Sequence, residues 1–191
     1  AYVGEPFGSL SGAAGGGHLF TAAEIRAIAE EAGYSYVRFY YPLPDYRLPQ
    51  LIFSDDHLPD AAVGEGLIPY DPTSDTRVLS ETYLYRHIVA NGLFPAMANS
   101  FLVECAVPKN AVRGADFISL ASDRVPAANL ATAVKGRERV TKRPLTAAGR
   151  EGLARLEKNM AALSARGLEV VPLTRAEGAL SMPFYDFPVL S

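Results

Sequence analysis

Between Phe39 and Pro59 the chain gathers side chains suited to recognising and activating hydroxyl groups. Tyr40, Tyr41 and Tyr46 offer flat apolar rings with polar tips, the combination that sugar recognition uses. Asp45, Asp55 and Asp56 can bind a cation or draw a proton from an acceptor hydroxyl. Prolines at 42, 44 and 49 fix φ and hold each preceding residue extended, so the run is stiff. The same residues also suit plain structure. Asp45 can cap a turn, Asp55-Asp56 can open another, and the tyrosines can pack a strand. Upstream, His18 follows Gly15-Gly16-Gly17 and is the one residue of that segment able to do acid–base work near neutral pH, which makes it the candidate catalytic base. The glycines themselves lack the Lys-Ser or Lys-Thr of a phosphate loop and read as a surface loop. His57 and His87 have no mutual spacing for a metal, and no metal site is expected. Lys142, beside Arg143, reads as a charged strand residue.

Hydrophobic periodicity supplies the elements that would position these groups. Thr21 and Glu24 form a capping box for a helix whose apolar stripe is Ile25, Ile28, Ala29 and Ala32, with Gly33 as its C′ residue. Tyr34 to Tyr41 alternates as a strand. Pro42 to Thr76 is expected to be irregular, and a loop of that length in a compact domain is often functional. Ser80 caps a second helix that Asn91-Gly92 ends. Phe101 to Val107 reads as a buried strand, with Cys105 inside it. Strands 35–41 and 100–107 are expected to be antiparallel neighbours. After a turn-rich stretch from Pro108 to Gly114 the rhythm changes. Phe117–Leu120, Leu130–Lys135 and Val140–Pro144 read as strands, Thr146 opens a helix of about twenty residues, and Leu168–Leu173 and Leu180–Phe184 close with two more strands. The fold class is α/β of the mixed α+β kind, in two parts spanning 1–107 and 116–191.

The run Tyr40-Tyr41-Pro42-Leu43-Pro44-Asp45-Tyr46-Arg47-Leu48-Pro49, then Ser54-Asp55-Asp56-His57-Leu58-Pro59, following a helix that ends in Ala32-Gly33, resembles the C-terminal half of bacterial class I S-adenosylmethionine-dependent methyltransferases of cell-surface polysaccharide clusters. The resemblance covers roughly residues 1 to 107. It implies the end of a class I methyltransferase sheet, with an antiparallel strand pair at its edge. It also implies a glycan or small hydroxyl acceptor, and Tyr40, Tyr41, Asp45, Tyr46 and Asp55 as acceptor-binding residues. The glycine-rich strand-turn of the cofactor site and the acid that holds its ribose are expected before Ala1. The fragment alone is therefore expected to bind S-adenosylmethionine weakly or not at all, and to be inactive by itself.

Residues 116 to 191 resemble the N-terminal lobe of a kinase-like phosphotransferase, a module that the same polysaccharide family joins to a methyltransferase. That resemblance implies ATP and Mg for the second part. Lys142 would be the nucleotide-contacting lysine, and Glu151 or Glu157 its helix partner. No catalytic-loop or metal-binding motif of that family follows, and the glycine-rich nucleotide loop is missing. Two other functions stay open: a module in which the loop from Pro42 to Thr76 binds a glycan or a protein, and a fragment of a kinase-like phosphotransferase. The missing remainder of a parent protein is a further expected partner.

Composition bounds these readings. The chain has 191 residues, 49% of them hydrophobic, and a mean hydropathy of +0.06, which suits a packed core. A net charge of −3 gives no basic face for nucleic acid. One cysteine excludes an internal disulfide and a thiolate metal cage. No apolar stretch approaches the ~20 residues of a membrane span, and the cytoplasm is the expected location.

Overall fold

The computed structural model describes residues 20–44, 46, 49–60, 81–98, 100–107, 114–121 and 124–185. It is a mixed α+β protein whose described strands pair antiparallel. The chain divides into two compact units, Ala1–Arg113 and Gly114–Ser191.

The first unit opens with helix α1 (Ala22–Glu31). Its capping box forms as expected: Glu24 N donates to Thr21 Oγ1 (3.2 Å), and Thr21 N donates to Glu24 Oε2 (2.7 Å). Gly33, at φ +90°, reverses the chain, and Tyr34 N donates to the Ala29 carbonyl (3.0 Å). The apolar stripe is only partly covered. Ala29 is buried, while Ile28 keeps 52% of its surface exposed.

Strand β1 (Tyr36–Leu43) follows, and pairs with β2 (Leu51–Ser54) on one side and β3 (Leu102–Ala106) on the other. β2 lies inside the stretch expected to be irregular. Leu51-Ile52-Phe53 is short, but its pairing with Tyr41–Leu43 supplies the ladder that local signals alone do not reveal. The pleat of β1 sends Phe39, Tyr41 and Leu43 to one face, where they build an aromatic core with Phe53, Phe94 and Phe101. The rings meet edge-on at 5.5–6.1 Å between centroids, the arrangement their quadrupoles favour. Helix α2 (Glu81–Ala90) and the short helix α3 (Phe94–Met97) add Tyr85 and Phe94 to that core.

β3 is less buried than its apolar run suggests. Among the described residues it pairs with β1 alone, so it is the edge of the unit's sheet, with Leu102 and Cys105 exposed. An edge strand has one covered side, and hydropathy does not distinguish it from a central one.

The second unit is a five-stranded sheet in the order β4-β5-β6-β8-β7: β4 (Phe117–Leu120), β5 (Leu130–Lys135), β6 (Arg139–Pro144), β7 (Thr174–Ala176) and β8 (Ala179–Pro183). A 3₁₀ turn at Pro126–Ala128 enters β5, and helix α4 (Ala147–Ala165) packs on both the turn and β6. Thr146 caps α4, with Gly149 N donating to its hydroxyl (3.0 Å). Leu153 and Leu180 form the buried floor between helix and sheet. The strand expected at 168–173 is absent. Residues 168–173 form no ladder among the described residues, Pro172 can donate no ladder bond, and the pairing begins at Thr174, where the turn Glu177-Gly178 brings β7 back against β8.

Candidate functional site

The polar residues of the first unit are organised by one tight turn. Ser54 and His57 exchange backbone bonds (Ser54 N to His57 O, 3.2 Å; His57 N to Ser54 O, 3.0 Å), so Asp55 and Asp56 are the two central residues of a turn beside β1. Their carboxylates take different partners. Asp55 accepts from the Tyr41 hydroxyl (2.5 Å) and from Phe39 N (3.0 Å), with the Arg26 guanidinium of α1 3.8 Å away. Arg26 also lies over the Phe39 ring, 4.9 Å from its centroid, and donates to the Val37 carbonyl (3.3 Å). Helix, strand and turn are tied together there.

Asp56 pairs with Arg38 (2.9 Å), which is 3% exposed in the middle of β1. Arg38 also donates to Ser54 Oγ (3.0 Å) and to the Tyr40 hydroxyl (3.0 Å). Tyr40 in turn donates to Glu104 on β3 (2.8 Å). Glu104 stands directly across from Arg38 in the β1–β3 register, so the chain of bonds spans all three strands.

Tyr40 and Tyr41, read from the sequence as lining one cleft, therefore point to opposite faces of β1, and both hydroxyls are taken by protein carboxylates. Tyr41 is 2% exposed and belongs to the core. Of the named tyrosines only Tyr46 presents its ring to solvent, at 59% exposure. His18 and Asp45 lie outside the described residues, as do Gly15–Gly17 and Ser80. Sequence reasoning passed over Arg26, Arg38, Ser54 and Glu104. The available signal was a charged residue, Arg38, inside an otherwise aromatic strand, with an acid in the strand expected to pair with it.

The buried hydroxyls resist ionisation. Burial, and then the bond to Glu104, pushes Tyr40 up from 10.0 to about 12. Burial, then the bond to Asp55, raises Tyr41 further still. Because the folded values lie above the unfolded one, the stabilisation from these phenols is complete below pH 10 and is lost as pH rises from 10 towards 12 and beyond. Urea midpoints measured across that range should fall, and Tyr41→Phe should flatten the fall while costing about 1 kcal/mol at neutral pH. An unchanged alkaline slope in Tyr41→Phe would show that other groups set it.

In the second unit Lys142 is half-buried on β6. Burial first, and the nearby Arg124 second, lower its pKa. Its ammonium donates to Thr132 Oγ1 (3.1 Å). Neither proposed helix partner meets it: Glu157 is bound by both Nε and Nη2 of Arg175 (3.0 and 2.7 Å), and Glu151 is exposed. Among the described residues no group of three His, Cys, Asp or Glu is placed to hold a metal, and no helix is long and apolar enough to cross a membrane. No family model, no curated protein and no solved structure matches the chain.

Proposed function

We propose that the first unit is the acceptor-side part of an S-adenosylmethionine-dependent methyltransferase that modifies a hydroxyl of a cell-surface glycan. The observation that carries this reading is the antiparallel pairing of β1 with β3 across the long connection that holds β2 and α2. That is the strand pair the aromatic–proline run leads one to expect at the end of such a sheet. The described residues do not by themselves fit the cofactor. They include no glycine-rich turn from strand to helix and no acid placed after one.

What these residues do is hold and orient. The Arg26–Asp55–Tyr41 cluster fixes α1 against β1, and the Arg38 network fixes the β2 turn, while Tyr46 is exposed. An exposed tyrosine suits stacking against a sugar ring. Positioning the acceptor oxygen is the larger part of catalysis for a methyl transfer, since alignment supplies effective molarity. The test is transfer of labelled methyl from S-adenosylmethionine to oligosaccharide acceptors by the protein that carries this chain. Tyr46→Ala should raise KM for the oligosaccharide about tenfold with kcat little changed, as loss of ground-state binding requires. Absence of transfer to any hydroxyl acceptor, or a Tyr46→Ala enzyme with unaltered KM, overturns the reading.

A further inference from the structure

A cleft of about 490 Å³ opens in the second unit where the end of β6, the first turns of α4 and the β7–β8 turn meet. Its walls carry three guanidinium groups, from Arg143, Arg150 and Arg175, and one carboxylate, from Glu177; its floor is Leu153 and Pro144. The arginines are not equally committed. Arg175 is held from outside the cleft by Glu157, which fixes its position and offsets its charge. Arg143 reaches Glu177 only at 4.0 Å, with both side chains mostly in water, a pair of small worth. Arg150 makes no ion pair among the described residues. Glu177 sits on the two-residue turn at φ +49° with 87% of its side chain exposed, and among the described residues its carboxylate is paired only with Arg143.

We infer that this cleft binds a phosphate-bearing small molecule, with Arg143 and Arg150 gripping the phosphate and Glu177 as the counter-ion it displaces. Guanidinium groups match phosphate oxygens two at a time, and Arg150, with no ion pair among the described residues, together with Arg143 released from Glu177, balances a phosphate dianion. The Pro144 ring gives the organic part of the ligand an apolar surface to cover, and the volume is that of an ordinary small-molecule site. The cleft is distinct from Lys142, which is absent from its lining and bonded to Thr132. It is also independent of the methyltransferase reading, since every lining residue belongs to the second unit.

The test is calorimetric titration of the whole chain with inorganic pyrophosphate. Saturable one-to-one binding is expected, with Kd in the range of roughly 0.1–1 mM. Arg150→Gln should weaken it about tenfold, and Glu177→Gln should tighten it about threefold by removing the competing carboxylate. Lys142→Met should leave it unchanged. These side chains are exposed or half-buried, and melting curves of the variants confirm that each is folded. No saturable heat, binding indifferent to both Arg150→Gln and Glu177→Gln, or binding that vanishes with Lys142→Met overturns the assignment.

Discussion

Replacing Gly152 with alanine is expected to destabilise the protein by about 3 kcal/mol, although alanine is the better helix former. In an exposed helix interior the same change stabilises by roughly 1 kcal/mol. Here a Cβ on Gly152 would fall on the carbonyl oxygen of Ala127, in the 3₁₀ turn that lies against α4. The atom in the way is backbone and cannot swing aside, so either the turn or the helix must move, and overpacking of that kind costs about 1–3 kcal/mol. One turn earlier, Gly149 faces the same constraint, with Asn129 O 2.7 Å from where a Cβ would stand. The contact also sets the entry to β5, because Leu145 N donates to the Asn129 carbonyl (3.0 Å) just before α4 begins. Urea denaturation of Gly152→Ala gives the sign directly. A more stable variant would mean that helix propensity outweighs the contact and that the turn shifts at little cost. As an internal reference, Ala162→Gly on the exposed part of α4 should cost about 1 kcal/mol.

Replacing Arg38 with methionine should cost about 2–3 kcal/mol. Methionine keeps most of the stem volume and removes the guanidinium, so the loss reports on polar contacts and not on a cavity. The severed partners are Asp56, Ser54 and the Tyr40 hydroxyl. Removing one half of a buried ion pair costs about 3–5 kcal/mol. The expectation is lower here because Asp56 is 43% exposed and water can take over part of its solvation. Ser54 is fully buried, out of reach of water, and among the described residues its hydroxyl oxygen keeps only the bond from Asp56 N (3.3 Å). Arg38→Lys should recover only part of the loss, since an ammonium group cannot span three partners in one plane as the guanidinium does. A double-mutant cycle of Arg38→Met with Asp56→Asn separates the ion pair from the rest, and a coupling below about 0.5 kcal/mol would place the stabilisation in the bonds to Ser54 and Tyr40. If Arg38→Met melts like the parent chain, the network is not a source of stability.

The two clusters beside β1 change what the aromatic–proline run means. Its tyrosines and acids are the residue types of a ligand site, yet Tyr41 and Asp55 are bonded to one another and Tyr40 to Glu104. Such pairs rigidify a strand exit. Of the three tyrosines only Tyr46 is exposed.

Local chemistry settled much of the architecture in advance. The Thr21–Glu24 box and Gly33 bracket α1 because capping bonds and a left-handed C′ residue act within a few residues of each other. The alternation of Tyr34–Tyr41, of which Tyr36 onward is strand, and the runs at Phe117–Leu120 and Leu130–Lys135 marked strands because a pleated strand repeats every two residues. The Asp55-Asp56 turn was likewise legible as one of the readings of those residues. Other features waited on tertiary structure. β2 is a strand because Tyr40–Leu43 lies beside it, and 168–173 is not one, with no strand beside it among the described residues. Cys105 is exposed because β3 is an edge, a fact of neighbours and not of composition. Arg38 is buried because Ser54, Asp56 and Tyr40 converge on it from two strands and a turn, and Glu157 is paired with Arg175, eighteen residues further on, while Lys142 bonds to Thr132. Hydrogen-bond partners distant in sequence are chosen by packing, and no local pattern encodes which of several acids a given cation will meet.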